Sequence, residues 1–324
     1  MKPDFQGRTC GLKVLKILED MKKGQIMGST NIATASFEAI RSHALESNLD
    51  QPLDFGKELS AGCTSLFLKA QPSNVLLTQG VHYIIQQVGF AIDEGRSVEE
   101  LKRVVSSSVD HLTKSITESM DKIGQEGSKL LSDGDVIMTH GCSTSVLSII
   151  GKTSQIGKKT KVIVTENRPQ FLGRLFAYAA ADLGIPVTLV VDSATPLWVK
   201  KVNKVFLGAM AVSPTGRIVG SLGTLAMAIA AHEAQVPVYV AASTLKFSDE
   251  RLFAYIDEMR IEEGDPSYVF SSPAVEGIEV SNPLYDVTPA KYVHLIITEK
   301  GAIPPRASMQ FIRDFYRTPP PGQV

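Results

Sequence analysis

The chain has 324 residues, 33 of them basic and 34 acidic, which is length enough for about two domains of ordinary size. So even a balance leaves no general basic field to attract nucleic acid or an anionic membrane. No apolar run approaches the roughly 18–20 uninterrupted residues that span a bilayer, and Met1-Lys2-Pro3-Asp4-Phe5 lacks the apolar stretch of a signal peptide, so a soluble cytoplasmic protein is expected.

In chain order, residues 1–131 read as a helical domain. Val14, Leu15, Leu18 and Met21 recur at spacings of three and four, as do Ala33, Phe37 and Ile40, and later Leu101, Val104, Val105 and Val109. Pro72-Ser73 interrupts the pattern, and Gly95-Arg96-Ser97 marks a turn before a helix that Ser97, with Glu100 three residues on, can cap. A last helix over about Ile116 to Leu131 leads through Ser132-Asp133-Gly134 into a second domain, residues 132–324.

From Asp135 short β-branched runs alternate with helical stretches. The strands expected are Val136–Met138, Lys161–Thr165, Pro186–Val191, Lys204–Gly208, Val236–Ala241 and Tyr292–Ile297, with helices over 171–183, 196–201 and 222–234. This is the rhythm of an α/β fold: a Rossmann-like, doubly wound, mostly parallel sheet with helices on both faces. The proline-rich tail at Thr318–Gly322 is expected to be loose.

In such sheets ligands bind at the carboxyl ends of the strands. The loop after the first strand, Thr139-His140-Gly141-Cys142-Ser143, opens into a helix whose free N–H groups and dipole favour an anion. Cys142 is either a thiol made reactive by the helix end or a half-buried spectator, and His140 either shuttles protons or packs at the strand end. After the second strand, Arg168 can grip a phosphate with its planar fork or serve as an ordinary salt-bridge partner, and Pro169 suits a helix start. Asp192, after the third strand, is a ligand contact or, more simply, a helix cap. Gly223-Thr224 can open a helix beneath an anion, and Lys246 after the fifth strand can add a positive charge. The ligand-binding set is therefore Thr139, Gly141, Cys142, Ser143, Arg168, Asp192, Gly223, Thr224 and Lys246. Cys10, Cys63 and Cys142 are scattered and odd in number, which indicates neither a disulfide framework nor a zinc site. No cofactor or metal is expected.

Gly134-Asp135-Val136-Ile137-Met138-Thr139-His140, Val162-Ile163-Val164-Thr165-Glu166-Asn167-Arg168-Pro169, Gly223-Thr224, Lys246-Phe247, Asn282-Pro283-Leu284-Tyr285-Asp286-Val287-Thr288-Pro289 and Ile296 to Pro305 resemble the signature segments of one family. It comprises the regulatory α, β and δ subunits of translation initiation factor 2B, archaeal ribose-1,5-bisphosphate isomerase and methylthioribose-1-phosphate isomerase. The resemblance covers nearly the whole chain and implies a helical amino-terminal domain, a Rossmann-like carboxyl-terminal domain and assembly into homo- or hetero-oligomers.

The departures from the isomerase pattern are specific. The resemblance puts a catalytic cysteine at the position of Gly141 and a catalytic aspartate at that of Met210, and a thioether exchanges no protons. An Asn-Lys pair is replaced by Gly220-Ser221, and the Arg-Gly-Ala-Gly phosphate loop by Met27-Gly28-Ser29-Thr30. The Gly141-Cys142-Ser143 sequence is instead similar to the δ subunit. The sequence is accordingly read as a noncatalytic regulatory or scaffold subunit, with initiation factor 2 and other family subunits as partners and a residual sugar-phosphate or nucleotide pocket. The alternative is a sugar-phosphate aldose-ketose isomerase in which Cys142 supplies the thiol.

Overall fold

In the computed structural model, residues 12–22, 25–71, 73–248, 263–270 and 277–317 are described. Cys10, Pro72 and the tail from Thr318 lie outside them. The chain forms two compact units that divide between Thr117 and Glu118. The boundary thus falls inside a helix and not at the Ser132-Asp133-Gly134 turn.

The first unit contains α1 (Leu12–Lys22), α2 (Ser29–Glu46), α3 (Pro52–Leu59), α4 (Ser65–Ala70), α5 (Val75–Asp93) and the first part of α6 (Val98–Lys129). A π-helical segment at Ser60–Thr64 joins α3 to α4. The α2 face Ala33, Phe37, Ile40 and Ala44 is buried, as is the α5 face Leu77, Val81, Ile84 and Val88. A Cβ on Gly80 would meet the Phe37 ring at 2.1 Å, so a glycine is what lets α5 close on α2. By length and composition α5 could cross a bilayer, but it carries its buried residues into this helical core. The expected cap at the start of α6 is present: Glu100 accepts hydrogen bonds from both the backbone N–H and the hydroxyl of Ser97 at 2.8 and 2.7 Å. The two helices expected between Ser97 and Leu131 are one, because nothing between Val98 and Lys129 stops the hydrogen-bond ladder.

The second unit is built on a seven-stranded sheet. In chain order it comprises β1 (Val136–His140), α7 (Thr144–Gln155), β2 (Lys161–Thr165), α8 (Leu172–Asp182), β3 (Val187–Val190), α9 (Thr195–Trp198), β4 (Lys204–Gly208), β5 (Ala211–Val212), β6 (Ile218–Ser221), α10 (Thr224–Glu233), β7 (Val238–Ala241), β8 (Tyr285–Thr288), β9 (Leu295–Thr298), β10 (Gly301–Ile303) and α11 (Ser308–Arg317). The strand order is β10-β9-β7-β4-β1-β2-β3, parallel except for β10. Strands β5, β6 and β8 form a separate antiparallel sheet, which the sequence reading had not anticipated. These segments are too short and too polar for alternation to show.

The pleat sorts the side chains of the main sheet into two cores. Ile137, Phe206, Tyr239 and Ile297 join α7 and α8 residues on one face; Met138, Val205, Leu207, Val240 and Ile296 join α10 and α11 residues on the other. Winding proceeds from β1 to β2 and β3 in one direction and from β4 to β7 and β9 in the other. The reversal between β1 and β4 opens a crevice at their carboxyl ends, the place where open α/β sheets bind ligands.

Gly173 in the first turn of α8 lets that helix lie against the end of β2: a Cβ there would fall 1.7 Å from the Thr165 carbonyl oxygen. Overpacking of this kind costs about 1–3 kcal/mol. Gly173→Ala is therefore expected to lower the melting temperature measured by calorimetry, and an unchanged transition would show that α8 does not sit on β2 as described.

Candidate functional site

The loops after β1, β2, β4 and β7 and the segment leading into α10 surround the crevice. At the end of β1, the His140 side chain is almost wholly enclosed. Its Nδ1 lies 2.6 Å from Thr165 Oγ1, and its Nε2 lies 2.7 Å from the Leu222 carbonyl oxygen and 2.9 Å from Asn167 Nδ2. Burial pushes its pKa below the usual histidine value, against the raising effects of the Leu222 carbonyl and Asp192, so the ring is neutral. In either tautomer both nitrogens are engaged by protein groups. The ring ties loops together and is not free to shuttle protons. Gly223, at φ 104°, is required beside it, since a Cβ would come within 2.7 Å of the imidazole.

Gly141 follows with φ 69° and turns the chain into α7. A Cβ at this position would stand 3.1 Å from Ser221 Oγ and 3.8 Å from Asn167 Oδ1. Ser143 is the N-cap of α7, its hydroxyl accepting from the Val146 N–H at 3.3 Å. The hydroxyl is thus engaged by the helix start, on the side of the loop that faces α7. Cys142 is half-buried, and burial raises its thiol pKa. The lowering expected from the helix end does not prevail, because desolvation of the thiolate outweighs it. Thr139 is fully buried within β1, and its hydroxyl has no hydrogen-bond partner among the described residues.

In the loop after β2, the backbone N–H groups of Asn167 and Arg168 donate at 2.8 and 2.7 Å to the carboxylate of Asp192, which follows β3. Its carboxylate is neither helix cap nor exposed ligand contact; it braces the neighbouring loop. Within that loop Asn167 and Phe171 both have positive φ, 60° and 57°, and α8 begins only at Leu172, so Pro169 does not start the helix. The Asn167 amide nitrogen donates to the Leu222 carbonyl at 3.0 Å. Arg168 is exposed, with its guanidinium 5.2 Å from the Phe171 ring centre, while Arg174 packs on the same ring and pairs with Glu166 at 2.8 Å. Arg168 thus stands at the rim of the crevice and not in its floor.

On the other side, Lys246 is buried at 5% exposure, with Nζ 2.9 Å from the Ala209 carbonyl oxygen. Among the described residues no carboxylate lies within ion-pair distance of it. Burial lowers its pKa to about 8. Met210 is buried next to that carbonyl and donates its N–H to Val219 O at 2.8 Å.

The start of α10 does not offer a free anion site at Gly223-Thr224. Asp286 of β8 takes the Gly223 N–H at 2.7 Å and the Leu225 N–H at 3.1 Å, and the Thr224 hydroxyl donates to Ser221 O at 2.7 Å. Burial raises the Asp286 carboxyl to about 6 despite those two donors. Neither Asp286 nor Asn167 was singled out from the sequence. Their roles depend on a strand pairing and on a left-handed backbone that carry no local sequence signal. The Met27-Gly28-Ser29-Thr30 loop lies in the first unit, at the start of α2.

The chain belongs to the initiation factor 2 subunit family, which its residues 25–305 match. It is 35% identical over 306 residues to ribose 1,5-bisphosphate isomerase of Thermococcus kodakarensis, covering 93% of this chain and 94% of that one. It is 33% identical over 298 residues to a putative translation initiation factor eIF-2B subunit 2-like protein of Pyrococcus furiosus, covering 91% and 98%. The crystal structure of translation initiation factor eIF-2B from Pyrococcus horikoshii OT3 superposes with a TM-score of 0.76 at 29% identity, over 93% of this chain and all of that one.

The state of the Cys142 thiol is directly measurable. With Cys10 and Cys63 replaced by Ser, the pH profile of alkylation by iodoacetamide is expected to inflect above the value of an unhindered cysteine, with slow labelling at neutral pH. An inflection below neutrality would show that the α7 dipole and not burial governs this thiol.

Proposed function

We propose that this chain binds a phosphorylated pentose in the crevice above β1, β2, β4 and β7, and that it stands with the sugar-phosphate isomerases of its family. The observation that carries the reading is Lys246, a buried amine that donates to the Ala209 carbonyl and has no carboxylate within ion-pair distance among the described residues. An ammonium is not kept in such a place for stability, because desolvation penalises it. A phosphate supplies the missing countercharge. The names of the similar proteins support ribose 1,5-bisphosphate as the first ligand to try, and they weigh more for an isomerase than for the regulatory subunit inferred from the sequence.

Isomerisation of a 1-phosphorylated pentose breaks the bond from C1 to the ring oxygen, moves the C2 hydrogen to C1 and passes the C2 hydroxyl proton to the freed ring oxygen, so it needs groups that give and take protons. Gly141 and Met210 offer none. Cys142 and Asp286 are the candidates for this role, since His140 is committed to its partners and Lys246 is assigned to the phosphate. A second reading, a regulatory subunit that keeps the pocket as a metabolite sensor and associates with initiation factor 2, is favoured by those same two positions. It shares the ligand and lacks the turnover.

Purified protein is expected to bind ribose 1,5-bisphosphate and to convert it slowly, with conversion abolished in Cys142→Ala. Binding without conversion, together with co-purification of initiation factor 2 from cell extract, would overturn the isomerase reading in favour of the regulatory one. Lys246→Met removes a charge-assisted hydrogen bond worth about 1.5–3 kcal/mol, and so weakens the ligand by roughly ten- to a hundred-fold. The lysine is charged below its pKa of about 8. Calorimetric affinity is thus expected to fall as pH rises through that value, and a flat profile from pH 7 to 9 would remove Lys246 from the site.

A further inference from the structure

Asn167 is 2% exposed, and its amide has two ends in different circumstances. The nitrogen donates to the Leu222 carbonyl at 3.0 Å and lies 2.9 Å from His140 Nε2, which approaches the same carbonyl. The oxygen is buried with no hydrogen-bond partner. Rotating the amide by half a turn does not relieve this, since it would set the oxygen against the Leu222 carbonyl oxygen. The backbone adds a second lock. Asn167 has φ 60°, and its own N–H and that of Arg168 are held by the Asp192 carboxylate. The unpartnered oxygen therefore points one way, toward Gly141, 3.8 Å from where a Cβ at that residue would sit. Native proteins rarely leave a fixed buried acceptor unsatisfied, and a site for a donor explains it.

We infer that Asn167 is a specificity-determining residue whose Oδ1 accepts a hydrogen bond from a hydroxyl of the bound sugar, delivered as the Gly141 turn gives way. The inference rests on the phosphopentose reading and deepens it by assigning the two ends of the ligand to different groups. Lys246 holds the phosphate, and Asn167 tells a polyol from a bare anion. A glycine at 141 suits the role, because no side chain stands between the turn and the acceptor, which is 3.8 Å from where a Cβ would sit. Ser221, whose Oγ flanks the same position, lines the other side of this subsite.

The test is calorimetry with ribose 5-phosphate and with inorganic phosphate on the full chain and on Asn167→Gly, a variant that keeps the positive φ. Ribose 5-phosphate is expected to bind about tenfold more weakly to the variant, while inorganic phosphate binds both proteins equally. Equal affinity of the two proteins for ribose 5-phosphate overturns the role of Asn167 and leaves the phosphopentose reading standing. Failure of the unaltered chain to bind ribose 5-phosphate overturns that reading and the inference with it. Should Asn167→Gly not fold, a crystal structure of the unaltered chain with ribose 5-phosphate decides. A sugar hydroxyl within hydrogen-bond distance of Oδ1 supports the inference; a water there in its place overturns it.

Discussion

The carbonyl of Leu222 is the point on which the upper surface of the sheet depends. His140 from the end of β1 and Asn167 from the loop after β2 both approach it, at 2.7 and 3.0 Å. Leu222 itself is anchored by its N–H to Leu284 O, at the threshold of β8. Loops that leave a parallel sheet at adjacent strand ends have no hydrogen bonds of their own to hold them in register. Here one acceptor and two side-chain nitrogens supply that registration. The burial of His140 and the positive φ of Gly223 follow from the same contact, as does the fixed direction of the Asn167 amide. Asp192 completes the arrangement from β3's side by holding the backbone of residues 167 and 168.

Most of the second unit was legible in the sequence because parallel strands buried on both faces are written as continuous β-branched runs. Lys161–Thr165 and Lys204–Gly208 are found at their expected bounds. The helical texture of the first unit was equally plain, since Ala33, Phe37 and Ile40 place one face of α2 in the core. The small antiparallel sheet was not legible. Its strands are two to four residues long, and its pairing partner for β6 lies more than sixty positions away in β8.

The site was legible in place but only partly in role. Polar and small residues at strand ends mark the crevice, yet their types do not say which of them face it. Ser143 and Asp192 have the chemistry of ligand groups and are spent on the backbone. Gly223-Thr224 has the look of an anion cradle, and a carboxylate from a distant strand already occupies its N–H groups. Lys246 could be named from sequence, but its burial against the Ala209 carbonyl is a property of what surrounds it. Asn167 stood unremarked between two residues of more obvious charge.

The departures at the crevice fit their neighbours. A side chain at 141 would press on Ser221 Oγ at 3.1 Å, and one at 220 would press on Thr224 Oγ1 at 2.5 Å. Gly141 thus leaves room for Ser221, and Gly220 for Thr224 at the start of α10. The same fit means that restoring a thiol at 141 alone would meet both a positive φ and the Ser221 hydroxyl.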